Sequence, residues 1–462
     1  MGKEVIGLEE KKRGFSFYRL FLIVGGLALL CIILIIVGIS VSDNDDLAGV
    51  FGSRSLVRSE TVYLTLLLAL LLPVALCALT IFIAKEKVGF ILFREAEDET
   101  EEEGVRFHSL RAIDEEMKNY TAPAYQSIEN LRFICNDFRN FAAQRLGLFY
   151  EEDDIRKFVA GFAVSHLMIM QGLSGTGKTS LATAFGEYLN NRSTVISVQP
   201  MWRERADVIG YFNEFTKRFS ESPLLKKLYE ARYTDEIYIV VLDEVNIARV
   251  EYYFADFLSL MELSADNRYL EMTSDTWEKD PELFVQGRFR LPENVWFIGT
   301  ANNDDSTFAV SDKVYDRAMV MNLDRKAGAF FAPETNGIKI SYSQFKALAE
   351  GAERAFPMSD DAKRMVQDID EFLMENYHIT YGNRIRNQME KYIAVYIGCG
   401  GTEQEALDDF LSKKVLRKLE GQNPTVIAKA SKALTEKLED MFGENGMPLC
   451  TNYLKFLRQM TS

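Results

Sequence analysis

Apolar and polar positions follow three patterns along this chain. Residues 20–41 pass without a charge, and a second uncharged run, residues 61–84, follows a short polar loop. At roughly 1.5 Å per helical residue, each run is long enough to cross a hydrocarbon core of about 30 Å. The pair predicts a transmembrane hairpin. A signal peptide fits the first run poorly, because its apolar part is too long, no small-residue cleavage pattern stands out and a second span follows. Between residues 125 and 149 the apolar positions fall at helical spacing (Ile128, Leu131, Ile134, Phe138, Phe141). Short apolar runs then alternate with helical segments. The runs are residues 166–171, 194–198, 237–242, 295–299 and 318–323, the pattern of an α/β fold with a mainly parallel sheet. Beyond residue 323 the spacing is helical, at 342–356, 360–377 and 384–397. The expected division is 1–94 for the N-terminus and two spans, 95–146 for a linker and helical element, 147–335 for the α/β core and 336–462 for a helical domain.

Charge orients the hairpin. Lys3, Lys11, Lys12, Arg13 and Arg19 precede the first run, and Lys85, Lys87 and Arg94 follow the second. The intervening loop carries Asp43, Asp45, Asp46 and Glu60 against Arg54 and Arg58. Basic flanks stay on the cytoplasmic side. The expectation is a multi-pass protein of the cell membrane, with two spans and with both termini and the core cytoplasmic, where ATP is available. Residues 95–103 hold seven carboxylates in nine positions, a solvated and self-repelling linker. A net charge of −15 over 462 residues argues against a surface for non-specific nucleic-acid binding, and no direct nucleic-acid site is expected. The five cysteines are scattered and the three histidines lie far apart, so neither a disulfide framework nor a zinc site is indicated.

The chemistry concentrates at residues 168–180, MIMQGLSGTGKTS, where an apolar run meets G-x-x-x-x-G-K-T. Gly172, Gly175 and Gly177 let the backbone curl so that its N–H groups, with those of Ser174, Thr176 and Ser180, point at phosphate oxygens. Lys178 reaches the β- and γ-phosphates, and the Thr179 hydroxyl takes a place on Mg²⁺. The run at 237–242 ends in Asp243-Glu244, a carboxylate for the metal followed by one able to orient and deprotonate a water. The run at 295–299 leads to Asn302, a polar contact for the γ-phosphate or the water. Arg317, just before the last strand, stands where a subunit can offer an arginine to its neighbour's γ-phosphate.

GLSGTGKTS, VQPMWRERADVIGYFN, VVLDEVNIARVEYYFADFLSLME and FIGTANNDD together resemble the McrB-like branch of the AAA+ ATPases, within the MoxR-type group, from about residue 147 to the C-terminus. That resemblance implies a P-loop core with a parallel five-stranded sheet, a C-terminal all-helical lid and a ring, usually a hexamer, with sites between subunits. It implies Lys178 and Thr179 on phosphate and Mg²⁺, Asp243 on Mg²⁺, Glu244 as base, Asn302 as polar sensor and Arg317 as trans finger. It also implies Arg384 as a second sensor on the phosphates, with Arg386 as competitor. Trp202, Arg203, Arg205 and Asn213 fall in the family's insertion near the second helix, facing a pore or a partner or forming a salt-bridge network, and Arg249 stands at a subunit interface or in the same kind of network. Where the family's restriction members read M-N-x-x-D and use GTP, this chain reads A-N-N-D, so ATP is the expected nucleotide and GTP stays open. The expected function is a membrane-anchored ATPase that remodels or activates a protein partner. The alternatives are the motor of a defence system working with a separate nuclease, and a nucleotide-dependent assembly switch.

Overall fold

The computed structural model describes residues 104–302 and 307–460. The expected spans at 20–41 and 61–84 and the acidic run at 95–103 lie outside the described residues. Among those described, no helix is long and apolar enough to cross a membrane.

The described chain opens with helices α1 (His108–Met117), α2 (Leu131–Leu146) and α3 (Glu152–Val164). Then come β1 (Leu167–Gly172), α4 (Lys178–Tyr188), β2 (Thr194–Ser197), α5 (Arg205–Ile209), β3 (Gly210–Asn213), β4 (Arg218–Glu221), α6 (Pro223–Ala231) and β5 (Tyr238–Asp243). They are followed by α7 (Val250–Tyr253), α8 (Ala255–Leu260), β6 (Tyr269–Glu271), β7 (Phe284–Val285), β8 (Arg288–Arg290), β9 (Val295–Asn302), α9 (Asp312–Tyr315) and β10 (Met319–Asn322). The remainder is helical: α10 (Tyr342–Ala355), α11 (Asp360–Tyr377), α12 (Asn383–Gly398), α13 (Glu403–Phe410), α14 (Pro424–Phe442) and α15 (Pro448–Met460). Between α13 and α14 a π-helical turn, Leu411–Val415, runs directly into a 3₁₀ turn, Leu416–Leu419.

Five strands form one sheet in the order β10-β1-β9-β5-β2, every pair parallel. All five apolar runs of the sequence became these strands, within a few residues. β5 and β9 are buried along nearly their whole length. Helices cover both faces of such a sheet, so its inner strands are continuously apolar. Successive side chains still alternate between the faces. Met168, Met170, Val241 and Ile298 join the core that holds α2, α3, α4 and the C-terminal helices. Leu167, Ile169, Val240 and Phe297 join the core of the other face, with α6 and α8. The helical region from 336 onward thus shares a core with the α/β region, and the chain from Gly104 on is one compact unit. Its helices start at ordinary caps, Ser341 and Thr402 each forming a capping box with Gln344 and Glu405.

Two insertions, absent from the sequence expectation as elements, decorate the sheet: the antiparallel hairpin β3–β4 and the three-stranded β6-β8-β7. The first described residues are fastened to them. Arg106, 2% exposed, donates from Nε to Asp280 and from Nη1 to Asp275, both at 2.7 Å. Its carbonyl accepts the Phe219 N–H at 2.7 Å, and Phe107 stacks on Phe219 at 4.8 Å. The Glu221 carboxylate accepts the N–H groups of Ser109 and Leu110 at 2.8 Å, capping the first turn of α1.

Candidate nucleotide site

Because all five strands run the same way, their C-terminal ends share one edge, and the candidate phosphate loop leaves from the end of β1. Gly172 has φ of 141°, and a Cβ there would stand 2.5 Å from the Leu323 carbonyl oxygen, so the close approach of the strand end to the chain after β10 requires glycine. Gly175 and Gly177 also take positive φ, at 77° and 94°. The loop passes over the N-terminus of α4, whose unpaired N–H groups and dipole favour an anion. Ser174 is exposed on the loop, and the Thr176 hydroxyl donates to the Leu173 carbonyl at 2.9 Å. Tyr150 braces the far side, its hydroxyl 3.3 Å from the Gly177 carbonyl.

The Lys178 ammonium is buried, bonded to the carbonyls of Gly172 and Leu173 at 3.0 and 2.8 Å. Burial lowers its pKa, against the opposing pull of Asp324, Asp243 and Glu244. Beside it the Asp243 carboxylate accepts two hydroxyls on one oxygen, Thr179 and Thr300, each at 2.7 Å. A hydroxyl and a carboxylate are hard oxygen donors that suit Mg²⁺, which fills the rest of its shell with water and substrate phosphate.

Glu244 adopts a left-handed backbone, φ 56° and ψ 53°. For a non-glycine residue that costs of order 1–3 kcal/mol and persists only where surroundings enforce it. Here its N–H donates to the Thr300 hydroxyl at 3.0 Å, so one buried threonine ties Glu244 to Asp243. The Asn302 amide nitrogen lies 3.4 Å from the Glu244 carboxylate, and Asn246 donates to the Asn302 carbonyl at 2.9 Å. Lys178, Thr179, Asp243, Glu244 and Asn302 therefore converge on one edge. Thr300 and Asn246 complete the group, though the sequence reading had not singled them out. Thr300 carried a signal, since it precedes Asn302 by two residues on the strand beside Asp243.

Arg317 and Arg384 stand elsewhere. Arg317 precedes Met319, which is level with Met168 at the start of β1. Four residue steps at about 3.3 Å each separate that level from Gly172, roughly 13 Å. Both arginines pair with one carboxylate, Glu262, Arg384 at 2.9 Å, and Arg317 also donates to the Leu258 carbonyl at 3.2 Å. They border a cavity of about 530 Å³ with Arg268 and Lys391. In this structure Glu262 holds Arg384 together with Arg317. Arg386 is exposed on the same helix. Glu262 had no signal in the sequence.

The insertion residues take structural roles. Arg205 pairs with Asp256 at 3.1 Å, Trp202 packs edge-on against Tyr253, and the Asn213 side chain accepts from Phe215 and Thr216 N–H groups in the β3–β4 turn. Arg203 donates its backbone N–H to Asp207 at 2.8 Å. Arg249 lies over the rings of Phe308 and Tyr252.

Residues 167–318 match the family model of the AAA domain (dynein-related subfamily), and residues 336–461 match a domain of unknown function, DUF8727. A curated relative, the type IV methyl-directed restriction enzyme EcoKMcrB subunit of Escherichia coli (strain K12), is 26% identical over 183 residues. The match covers 36% of this chain and 36% of that protein, little more than a third of the relative's length. A crystal structure of a candidate ATPase from Cytophaga hutchinsonii superposes with a TM-score of 0.41 at 11% identity, over 76% of this chain and 98% of that one. A full-length MCM homologue from Methanopyrus kandleri gives 0.35 at 10% identity, over 62% of each chain. With its phosphate loop, its acidic pair and a five-stranded parallel sheet, the segment 167–318 is similar to the AAA domain of the dynein-related subfamily, and over 183 residues the chain is similar to the McrB subunit.

Proposed function

We propose that the protein hydrolyses ATP at sites completed by a neighbouring copy, in a ring, and uses the cycle to remodel or activate a protein partner. The observation that carries this reading is the Thr179–Asp243–Thr300–Glu244 arrangement at the mouth of the phosphate loop. Lys178 exchanges the two carbonyls it now holds for β- and γ-phosphate oxygens, which restores a fully charged partner to a buried amine. Thr179 and Asp243 would hold Mg²⁺, whose positive charge offsets that on the phosphates. Glu244, fixed by its backbone, accepts the proton of the attacking water, and Asn302 orients that carboxylate or the water. The nucleoside has room in a cavity of about 420 Å³ that opens between Gln171, Asn322 and Asp324 and the side chains of Lys413 and Arg417.

Arg317 and Arg384 are both held by Glu262 and not by their own loop, which supports their being offered to the next subunit. There they would stabilise the charge of the phosphoryl-transfer transition state, an effect worth about 10³–10⁵ in rate for such arginines. The two uncharged runs would anchor each subunit in the cell membrane, with the ATPase part on the cytoplasmic side. Glu244→Gln tests the reading: it is expected to bind ATP with near-normal affinity and to keep it unhydrolysed, and normal phosphate release by that variant would remove Glu244 from the mechanism.

A second reading, favoured by the likeness to a restriction-enzyme subunit, is a motor that works with a separately encoded nuclease, with GTP as an alternative nucleotide. Purification of the tagged full-length protein, followed by identification of what accompanies it, separates the two. Recovery without a nuclease under gentle extraction counts against the second.

A further inference from the structure

The backbone of the turn that carries Arg317 is held in part by the C-terminal helices and in part by Ser165, whose hydroxyl donates to the Arg317 carbonyl at 3.1 Å. Lys414 lies in the π-helical turn and is 5% exposed. Its ammonium donates to the carbonyls of Tyr315 and Ala318, at 2.5 and 2.7 Å, one on each side of Asp316-Arg317. Arg417, one turn on, pairs with Asp312 and lies 3.5 Å over the Tyr315 ring. Lys418 approaches Asp316 at 3.8 Å, and Gln388 of α12 donates to the Arg317 carbonyl at 3.3 Å. The same turn reaches the phosphate loop: the Tyr315 hydroxyl donates to the Gln171 side chain at 2.8 Å, and Gln171 directly precedes Gly172.

A buried ammonium is expensive to desolvate, and apolar packing would stabilise this turn at lower cost. The two carbonyls it binds end α9 and precede β10, backbone acceptors that a short helix otherwise leaves to water. A π-helical turn within a helical region is itself unusual and is found chiefly at functional sites. Here it widens the helix so that two consecutive lysines diverge, Lys413 onto Asp409 and Lys414 onto the arginine turn. We infer that Lys414 is a positioning residue for the trans arginine: it fixes the direction in which Arg317 leaves the subunit, and Arg417 and Tyr315 link that direction to the subunit's own phosphate loop. This rests on the reading of Arg317 as acting on a neighbour.

The test uses full-length protein. Lys414→Met keeps the aliphatic stem and removes the donors. Alone it is expected to lose turnover by at least tenfold, while ATP binding, read with a fluorescent ATP analogue, stays within about threefold of the parent. Mixed with Lys178→Ala, which is inactive at its own loop but still offers Arg317, it is expected to regain turnover, because intact loops then meet a correctly set arginine. Arg317→Ala mixed with Lys178→Ala is the control. If that control fails to regain turnover, the trans reading of Arg317 fails. If the control succeeds and the Lys414→Met mixture does not, or if Lys414→Met alone turns over like the parent, the inference about Lys414 is overturned. Should Lys414→Met fail to fold, Lys414→Gln, shorter and uncharged but still polar, carries the same test: complementing loss supports the inference, and parental turnover refutes it.

Discussion

Thr300→Val removes one hydroxyl from the centre of the candidate site and keeps the shape of the side chain. Thr300 is 2% exposed, accepts the Glu244 N–H at 3.0 Å and donates to Asp243 at 2.7 Å. The left-handed Glu244 costs about 1–3 kcal/mol, and its bond to Thr300 returns about 1 kcal/mol net. Without the hydroxyl the half-buried N–H loses its protein partner, adding up to about 1–3 kcal/mol of penalty that the backbone escapes by leaving the conformation. A shift of about 1–2 kcal/mol against the productive conformer lowers its share roughly 5- to 30-fold. Turnover, measured as phosphate release at saturating ATP, is therefore expected to fall by that factor. Nucleotide affinity, which depends on the loop and Lys178, stays within about threefold. Thr300→Ser, which restores the hydroxyl, is expected to recover most of the rate. Parental turnover in Thr300→Val, or loss of equal size in Thr300→Ser, would refute the argument that this hydroxyl sets Glu244.

Two further outcomes concern stability. Arg106→Met leaves Asp280, whose side chain is 6% exposed, without its cation, and breaking a buried pair from one side costs about 3–5 kcal/mol. Urea titration of the full-length protein should show a clear fall in midpoint, and an unchanged midpoint would mean that water reaches Asp280. Burial lowers the Lys414 pKa from 10.5 to about 7 in the folded protein. Between these values the unfolded chain binds the proton that the folded one lacks, so stability from this group rises with pH across that window, by at most about 1.4 kcal/mol per unit. Denaturation at pH 7.5 and 9 should show that slope in the parent and its reduction in Lys414→Met; identical slopes would show that the amine is solvated.

What was legible in the sequence was what buries on both faces or repeats a known spacing. The five central strands stood out because Tyr238 to Leu242 and Val295 to Thr300 have helices on both sides and admit few polar residues. Asp243, Glu244 and Asn302 could be read because they end those runs. The β3–β4 hairpin could not, since Tyr211 is 55% exposed and Phe215 fully exposed, leaving no alternation to detect. Nor could the support of Arg317, because Lys414 binds backbone carbonyls about a hundred residues away, and a carbonyl has no residue type to signal it. The resemblance implied Arg384 as a contact for phosphates, and only the fold reveals its pairing with Glu262, more than a hundred residues earlier in the chain.

The anchoring of Arg106 has a mechanical side. Tension applied to the chain ahead of Gly104 meets the Arg106 carbonyl bonded to Phe219 and the Glu221 carboxylate holding Ser109 and Leu110 before it meets any strand of the central sheet. The load is taken first by β4, the second strand of the hairpin. The guanidinium rivets to Asp275 and Asp280 spread it to the loop between β6 and β7. A displacement of the hairpin travels the same route in reverse and emerges as a pull on Gly104. The hairpin is thus geared to residues 106–110 by a linkage that bypasses the nucleotide loop.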